Sequence, residues 1–158
     1  MRVQFIHGLE SSPQSRKARV LAERFDALTP AMNTDDFEAC VALQSEVVAM
    51  WGPVVLIGSS FGGAVATALL QRGLWRGPTL LLATASLRRG LAPALPAGVR
   101  VHLVHATGDD IVPVADARAI MAANDRAEVS LTEVDDDHAL TRHTQTGALV
   151  KWVVGLSA

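Results

Sequence analysis

The sequence has very little cysteine, few aromatic residues and no long apolar run. Cys40 is the only cysteine among 158 residues, so neither an intrachain disulfide nor a cysteine-based zinc site is possible. The surrounding letters, FEACVALQ, indicate a helix face, where a small buried thiol is more common than a nucleophile. No apolar stretch approaches the ~20 residues that span a bilayer, so we expect no membrane partner.

A strong charge of one sign is also absent. The 14 basic and 16 acidic residues give a formal net charge of -2. The sequence contains no run of basic residues that could bind along a phosphate backbone. We therefore expect no nucleic-acid partner. The opening letters MRVQFIHG turn polar too early for a secretory signal, which makes a cytoplasmic location the default expectation. Apolar residues make up 49% of the chain, and its length fits one domain over residues 1–158.

Short apolar runs alternate with longer helical patterns. This alternation predicts an α/β fold: a three-layer α/β/α sandwich around a mostly parallel six-stranded sheet. Pro30 removes a ladder donor from the second run, which favours the sheet edge. The expected strands are residues 2–6, 27–32, 54–57, 79–85, 100–106 and 128–134.

Helices are expected between these strands. Ser12 followed by Pro13 has the pattern of a helix start, and Asp35 with Glu38 resembles a capping box. Further helices are predicted at residues 62–72, after Pro113 and at the end of the chain. Residues 86–99 contain two glycines and two prolines, so this segment is expected to hold at most a turn or two of helix.

The letters GSSFG at residues 58–62 match the G-x-S-x-G pattern, at a strand end and before a helix. In that context the central serine, Ser60, sits on a sharp turn at the carboxyl edge of the sheet. Glycines are needed on either side because side chains there would collide. The alternative is a glycine-rich turn whose serines only cap the helix; Ser59 is the competing serine.

A serine hydroxyl is a weak nucleophile and needs an imidazole base, oriented by a carboxylate. Asp109, in a loop after the strand at 100–106, is the predicted acid, with Asp110 as the alternative; either could instead cap a turn. His138 follows the last strand and is the predicted base. The acidic run at residues 135–137 is interpreted as a solvated loop rather than a metal site.

An oxyanion site needs two preorganised donors. The backbone N–H of Phe61, directly after the serine, is one candidate. The other is the N–H of Leu9, in the loop HGLESSP after the first strand. His7 in that loop is interpreted as a loop-fixing residue, and His102 and His105 as core histidines of a central strand.

These motifs, in this order over nearly the whole chain, resemble the α/β-hydrolase superfamily. FIHGLESSP together with LIGSSFGG is similar to small bacterial serine esterases without a large cap. The resemblance implies a minimal α/β-hydrolase fold, a Ser60–Asp109–His138 triad and oxyanion donors at Leu9 and Phe61. It also implies that the two usual strands before the HG loop are missing.

The expected function is therefore hydrolysis of a small carboxylic ester, or a related acyl bond, through an acyl-enzyme on Ser60. No metal or organic cofactor is expected. Ala106 stands where many relatives have glycine, which would shift the loop that bears Asp109. Thioester or amide hydrolysis stays open as a substrate alternative, and a non-catalytic binding protein that retains the scaffold stays open as a different class.

Overall fold

The computed structural model describes all residues, 1–158, and contains one six-stranded sheet flanked by helices. The strands are β1 (Arg2–Ile6), β2 (Asp26–Leu28), β3 (Val55–Ser59), β4 (Thr79–Leu82), β5 (Arg100–Ala106) and β6 (Glu128–Val134). The helices are α1 (Arg16–Arg24), α2 (Phe37–Trp51), α3 (Phe61–Gln71), α4 (Val114–Ala122), α5 (Thr141–Gln145) and α6 (Ala148–Ser157), with a short 3-10 turn at Leu87–Arg89. None of the helices combines the length and the apolar character needed to cross a membrane.

All neighbouring strands pair in parallel, in the order β2-β1-β3-β4-β5-β6. The predicted α/β fold is confirmed, and β2 lies at one edge, as expected, although it ends at Leu28, before Pro30, and is shorter than the predicted strand at 27–32. Strand order reverses between β1 and β3, and such a reversal opens a crevice at the carboxyl ends of the strands. A ligand site is therefore expected there.

Side chains alternate between the two faces of the sheet and form two apolar cores. One core joins β-strand residues such as Ile57 and Leu82 to α1 and α6. The other joins the intervening residues, such as Leu56 and Leu81, to α2, α3 and α4. All but one of the residues of α3 are buried, so this helix is enclosed between the sheet and its neighbours.

Other segments also differ from the sequence prediction. Helix α1 begins at Arg16, because Ser15 caps it by accepting the N–H of Ala18, whereas Ser12 accepts the N–H of Gln14 in a preceding turn. Strand β4 ends at Leu82, because the next residue takes a left-handed conformation. The terminal helical region is two helices, α5 and α6, separated at Gly147 with φ of 82°.

The turn from β3 into α3 passes very close to β1. A Cβ atom at Gly58 would lie 2.5 Å from the carbonyl oxygen of Gly62, and one at Gly62 would overlap the carbonyl oxygens of Ile6 and His7. Ile6 is the register partner of Gly58, so the carboxyl end of β1 lies directly beside this turn. Only glycine fits these two positions without moving backbone.

Gly62→Ala is therefore expected to destabilise the protein by at least ~1–3 kcal/mol, the usual cost of overpacking. Gly155→Ala is the matched control, because Gly155 is an exposed helical glycine with no atom within 4 Å of an added Cβ. That substitution should be neutral or stabilise by up to ~1 kcal/mol through helix propensity. Urea unfolding followed by tryptophan fluorescence measures both; equal effects would contradict the close approach.

Candidate active site

Ser60 occupies a backbone conformation that few serines adopt. Its φ and ψ are 54° and -113°, between the end of β3 and the first residue of α3. Its N–H donates to the carbonyl oxygen of Leu82 at 2.9 Å, and its own carbonyl accepts the N–H of Ala85 at 3.0 Å. Ordinarily such backbone strain costs ~1–3 kcal/mol and persists only where the surroundings enforce it. Here the two hydrogen bonds to the β4 segment and the tight glycine passage enforce it.

The Ser60 hydroxyl lies within hydrogen-bond distance of His138. Ser60 Oγ is 2.9 Å from His138 Nε2, and His138 Nδ1 is 2.7 Å from Asp109 Oδ2. A carboxylate only accepts, so Nδ1 bears the imidazole proton and Nε2 is left to accept the serine O–H. The Ser59 hydroxyl makes no hydrogen bond to a histidine, and Ser59 is only 8% exposed. The geometry therefore suits Ser60, not Ser59, for proton transfer to the imidazole.

The carboxylate of Asp109 is fully buried and has a partner on each oxygen. Oδ1 accepts the N–H groups of Ile111 and Val112 at 2.9 and 2.8 Å, while Oδ2 faces His138. Burial opposes ionisation, but the hydrogen bonds from His138 and the two amides outweigh it, so the pKa of Asp109 is lowered. Asp110, the alternative acid, is exposed, and the hydrogen-bond partners of the His138 ring are Asp109 and Ser60.

The sheet register brings these loops together. Ala106 pairs with Val134, so β5 and β6 end at the same level. Asp109 lies three residues after the end of β5, and His138 lies four residues after the end of β6. Ala106 fits in the core without exposure, and its side chain does not prevent the contact between Asp109 and His138.

The backbone N–H groups of Leu9 and Phe61, the two predicted oxyanion donors, donate no hydrogen bond within the protein. Phe61 opens α3, and the first N–H groups of a helix lack intrahelical partners. The Leu9 loop is held against the serine, since a Cβ at Gly8 would lie 3.5 Å from the Ser60 Cβ. His7 donates from Nδ1 to the Gly8 carbonyl at 2.8 Å, in keeping with the loop-fixing interpretation.

The acidic run before His138 is solvated only in part: Asp135 and Asp137 are exposed, as the sequence suggested, but the side chain of Asp136 is not. The Asp136 side chain is only 5% exposed, and it accepts the N–H of Arg142, the N–H of His143 and His143 Nδ1. Asp137 accepts the N–H and the hydroxyl of Thr141. These carboxylates cap α5 and fix the loop. The signal was available: acidic residues immediately before a helical segment are typical N-terminal caps.

His105 is a contact of Asp109 that sequence reasoning missed. The residue is buried on β5, and its Nε2 donates to the carbonyl of Val112 at 2.8 Å while lying 3.3 Å from Asp109 Oδ2. Both backbone groups of Val112 are thus engaged: its N–H donates to Asp109 and its carbonyl accepts from His105. Periodicity alone places such a histidine in the core and does not reveal what it touches.

Ser60 and His138 open onto a cleft of about 820 Å³. This volume is within the range typical of small-molecule sites. Leu9 and Ile111, 52% and 67% exposed, form part of its rim. The segment between β4 and β5, at residues 86–99, contributes no residue to the cleft and so does not cover it.

Several solved structures that share this fold are described as hydrolases or esterases. A protein of Xanthomonas campestris pv. campestris assigned to the alpha/beta hydrolase superfamily is 28% identical, with a TM-score of 0.78 over 98% of this chain and 99% of that one. The esterase domain of a Rhodothermus marinus protein is 21% identical, with a TM-score of 0.69 over 98% and 84%. A monoacylglycerol lipase of Paleococcus ferrophilus is 13% identical, with a TM-score of 0.76 over 98% and 94%.

The last two likenesses show the fold alone. Within the α/β-hydrolase superfamily that this fold defines, residues 2–88 match the family described as "Uncharacterised protein family (UPF0227)". The match covers more than half of the chain, which therefore belongs to that family. It includes Leu9, Ser60 and Phe61, while Asp109 and His138 lie beyond it. No protein of curated function matches the sequence.

The hydrogen bonds that Asp136 accepts from the start of α5 should make the stability of the protein depend on pH. Burial opposes ionisation of Asp136, but hydrogen bonds from His143 and from neighbouring amides hold its pKa well below the ordinary value of 3.8. A depressed carboxyl pKa stabilises the folded state above the unfolded value, and this contribution is lost as pH falls through the folded value. Asp136→Asn should therefore cost ~1–3 kcal/mol at pH 7, for lost hydrogen bonds to a charged acceptor.

The difference in free energy of unfolding between wild type and Asp136→Asn should narrow below a pH of about 4, where the carboxyl begins to be protonated in the unfolded chain. Urea unfolding at pH 7 and near pH 2.5 measures it. Asp135→Asn is the control, because that side chain is 94% exposed and should change stability little at either pH. A gap for Asp136→Asn that is as large at the acidic pH as at pH 7 would contradict the assignment.

Proposed function

We propose that the protein is a serine hydrolase that cleaves a small carboxylic ester, or a related acyl bond, through an acyl-enzyme on Ser60. The observation that carries this proposal is the continuous hydrogen-bonded chain from Ser60 Oγ through His138 to Asp109, with lengths of 2.9 and 2.7 Å. The likeness to a superfamily whose solved members include an esterase domain and a lipase supports it.

In the proposed reaction, His138 Nε2 accepts the hydroxyl proton as Ser60 Oγ attacks the substrate carbonyl. The imidazolium that forms lies against the buried carboxylate of Asp109, which stabilises its charge and holds its orientation. His138 then gives the proton to the leaving oxygen and the acyl-enzyme remains. A water molecule, activated by the same imidazole, hydrolyses the acyl-enzyme and restores the serine.

The negative charge on the substrate oxygen requires donors, and the unpartnered N–H groups of Leu9 and Phe61 are the proposed pair. Each preorganised donor contributes about 10²-fold to 10³-fold to the rate, and general-base catalysis about 10²-fold to 10⁴-fold. Together these effects are of the size found in working enzymes.

The cleft favours a small substrate. Phe5, Leu9, Ile111 and Ala139 are its apolar lining residues, and the two large ones at the rim, Leu9 and Ile111, are exposed. A long acyl chain would therefore remain largely in water, which removes the free-energy gain that favours lipid substrates. Short-chain esters, thioesters or activated amides share the reacting carbonyl and fit the same geometry.

A fluorophosphonate probe together with a chain-length series of activated esters and thioesters tests the proposal. Wild type should be labelled and should hydrolyse the shorter members best. Ser60→Ala should abolish labelling and lower kcat/KM by at least ~10³-fold, because the nucleophile is lost. Ser59→Ala is the matched control and should retain both properties.

Labelling that persists in Ser60→Ala, or its absence from folded wild type, would contradict the proposal. Absence in folded wild type would favour the alternative class, a binding protein on a hydrolase scaffold. Urea unfolding of each variant shows that the protein tested is folded.

A further inference from the structure

The cleft beside Ser60 contains a partly buried cation that the proposed chemistry does not use. Lys17, on the first turn of α1, lines the cleft together with Ser60 and His138. Its ammonium donates a hydrogen bond to the carbonyl oxygen of Ala139, the residue directly after the proposed base. The charge is therefore held next to the place where the substrate is expected to react.

This ammonium is poorly compensated by the protein. Burial lowers the pKa of Lys17 to about 8, against the opposing effect of Asp137 and Asp136. Those two carboxylates are already engaged, Asp137 by Thr141 and Asp136 by His143. A carbonyl oxygen is thus the direct partner of a charge that has lost part of its hydration.

The other charges around the cleft are solvated. Glu10, Arg16, Asp110 and Asp137 also line it, and all four are exposed. Charges in contact with water are screened and contribute little to selectivity. Arg88 and Arg89, the cations of the segment at residues 86–99, do not line the cleft. Arg88 pairs with Asp116, and Arg89 packs over the Phe61 ring.

We propose that the preferred substrate carries a carboxylate a few bonds from the scissile carbonyl, and that Lys17 binds this carboxylate. The inference rests on the proposed function, because it assigns the substrate class of the same site. A carboxylate can supply the charge and acceptor that the ammonium lacks, in a partly dehydrated position where such a contact is strong. Lys17 is then a specificity residue and takes no part in bond cleavage.

The test compares matched substrates that differ in one charge. On the alcohol side, meta-acetoxybenzoate is compared with meta-acetoxybenzamide. On the acyl side, monoethyl adipate is compared with ethyl hexanoate. Wild type should prefer the charged member of at least one pair, and which pair shows the preference identifies the side of the ester that faces Lys17.

Lys17→Met should lower kcat/KM for the preferred charged substrate by about 10-fold to 100-fold, the effect expected of a charged hydrogen bond. The kcat/KM of Lys17→Met for the neutral counterpart should differ from that of wild type by less than about twofold. Lys17→Arg should retain much of the preference for the charged substrate. Arg19→Met, an exposed charge on the same helix outside the cleft, is the control for net charge. Equal losses for charged and neutral substrates would mean that Lys17 only fixes the His138 loop, and would overturn the proposal.

A binding measurement separates this proposal from the proposed function. In calorimetry, Ser60→Ala should bind the charged member of the preferred pair more tightly than its neutral counterpart, and adding Lys17→Met should remove the difference. This result does not require turnover, so it would support Lys17 as the carboxylate site even if Ser60 proved not to be a nucleophile. The absence of a charge preference in both turnover and binding would overturn it.

Discussion

The close passage of the Gly62 backbone over the carboxyl end of β1 is the constraint on which the site depends. Because glycine has no Cβ, α3 can begin immediately beside β1. The same passage enforces the left-handed backbone of Ser60 and brings Gly8 against its side chain. The proposed nucleophile and both proposed oxyanion donors thus derive their positions from one packing contact.

The partners of Ser60 depend on a second constraint, the register of the far half of the sheet. Strands β5 and β6 end together, and each of the loops that follow is fixed by its own hydrogen bonds. The loop of Asp109 is held through Val112, whose N–H and carbonyl are both engaged, and the loop of His138 is held by the caps on α5. Such fixed loops reduce the reorganisation needed during a proton transfer, which is how preorganised sites lower barriers.

Much of this arrangement could be predicted from the sequence, for identifiable reasons. Parallel strands present their carboxyl ends at one edge, so residues that follow strands, such as Ser60, Asp109 and His138, can be expected near one another from chain order alone. The strands β1, β5 and β6 were predicted with the bounds that the structure shows.

What could not be predicted depends on contacts between distant segments. Ser12 and Ser15 are both acceptable helix caps, and local pattern does not show which of them the chain uses. A histidine on a central strand is readily placed in the core, but its contact with Asp109 depends on how the next loop folds back. The contact of Lys17 with Ala139 joins residues 122 positions apart, and no local pattern reports such a contact.

The central claim is that the hydrogen bond from His138 to Asp109 serves catalysis, and a pair of adjacent substitutions tests it most directly. In the esterase assay, Asp109→Asn should lower kcat by about 10³-fold to 10⁴-fold, because an amide cannot hold the required tautomer or stabilise the imidazolium. Asp110→Asn, one residue away and exposed, should keep kcat within about twofold, as expected of a surface change without partners. Equal kcat values for the two folded variants, or a larger loss for Asp110→Asn, would contradict the account.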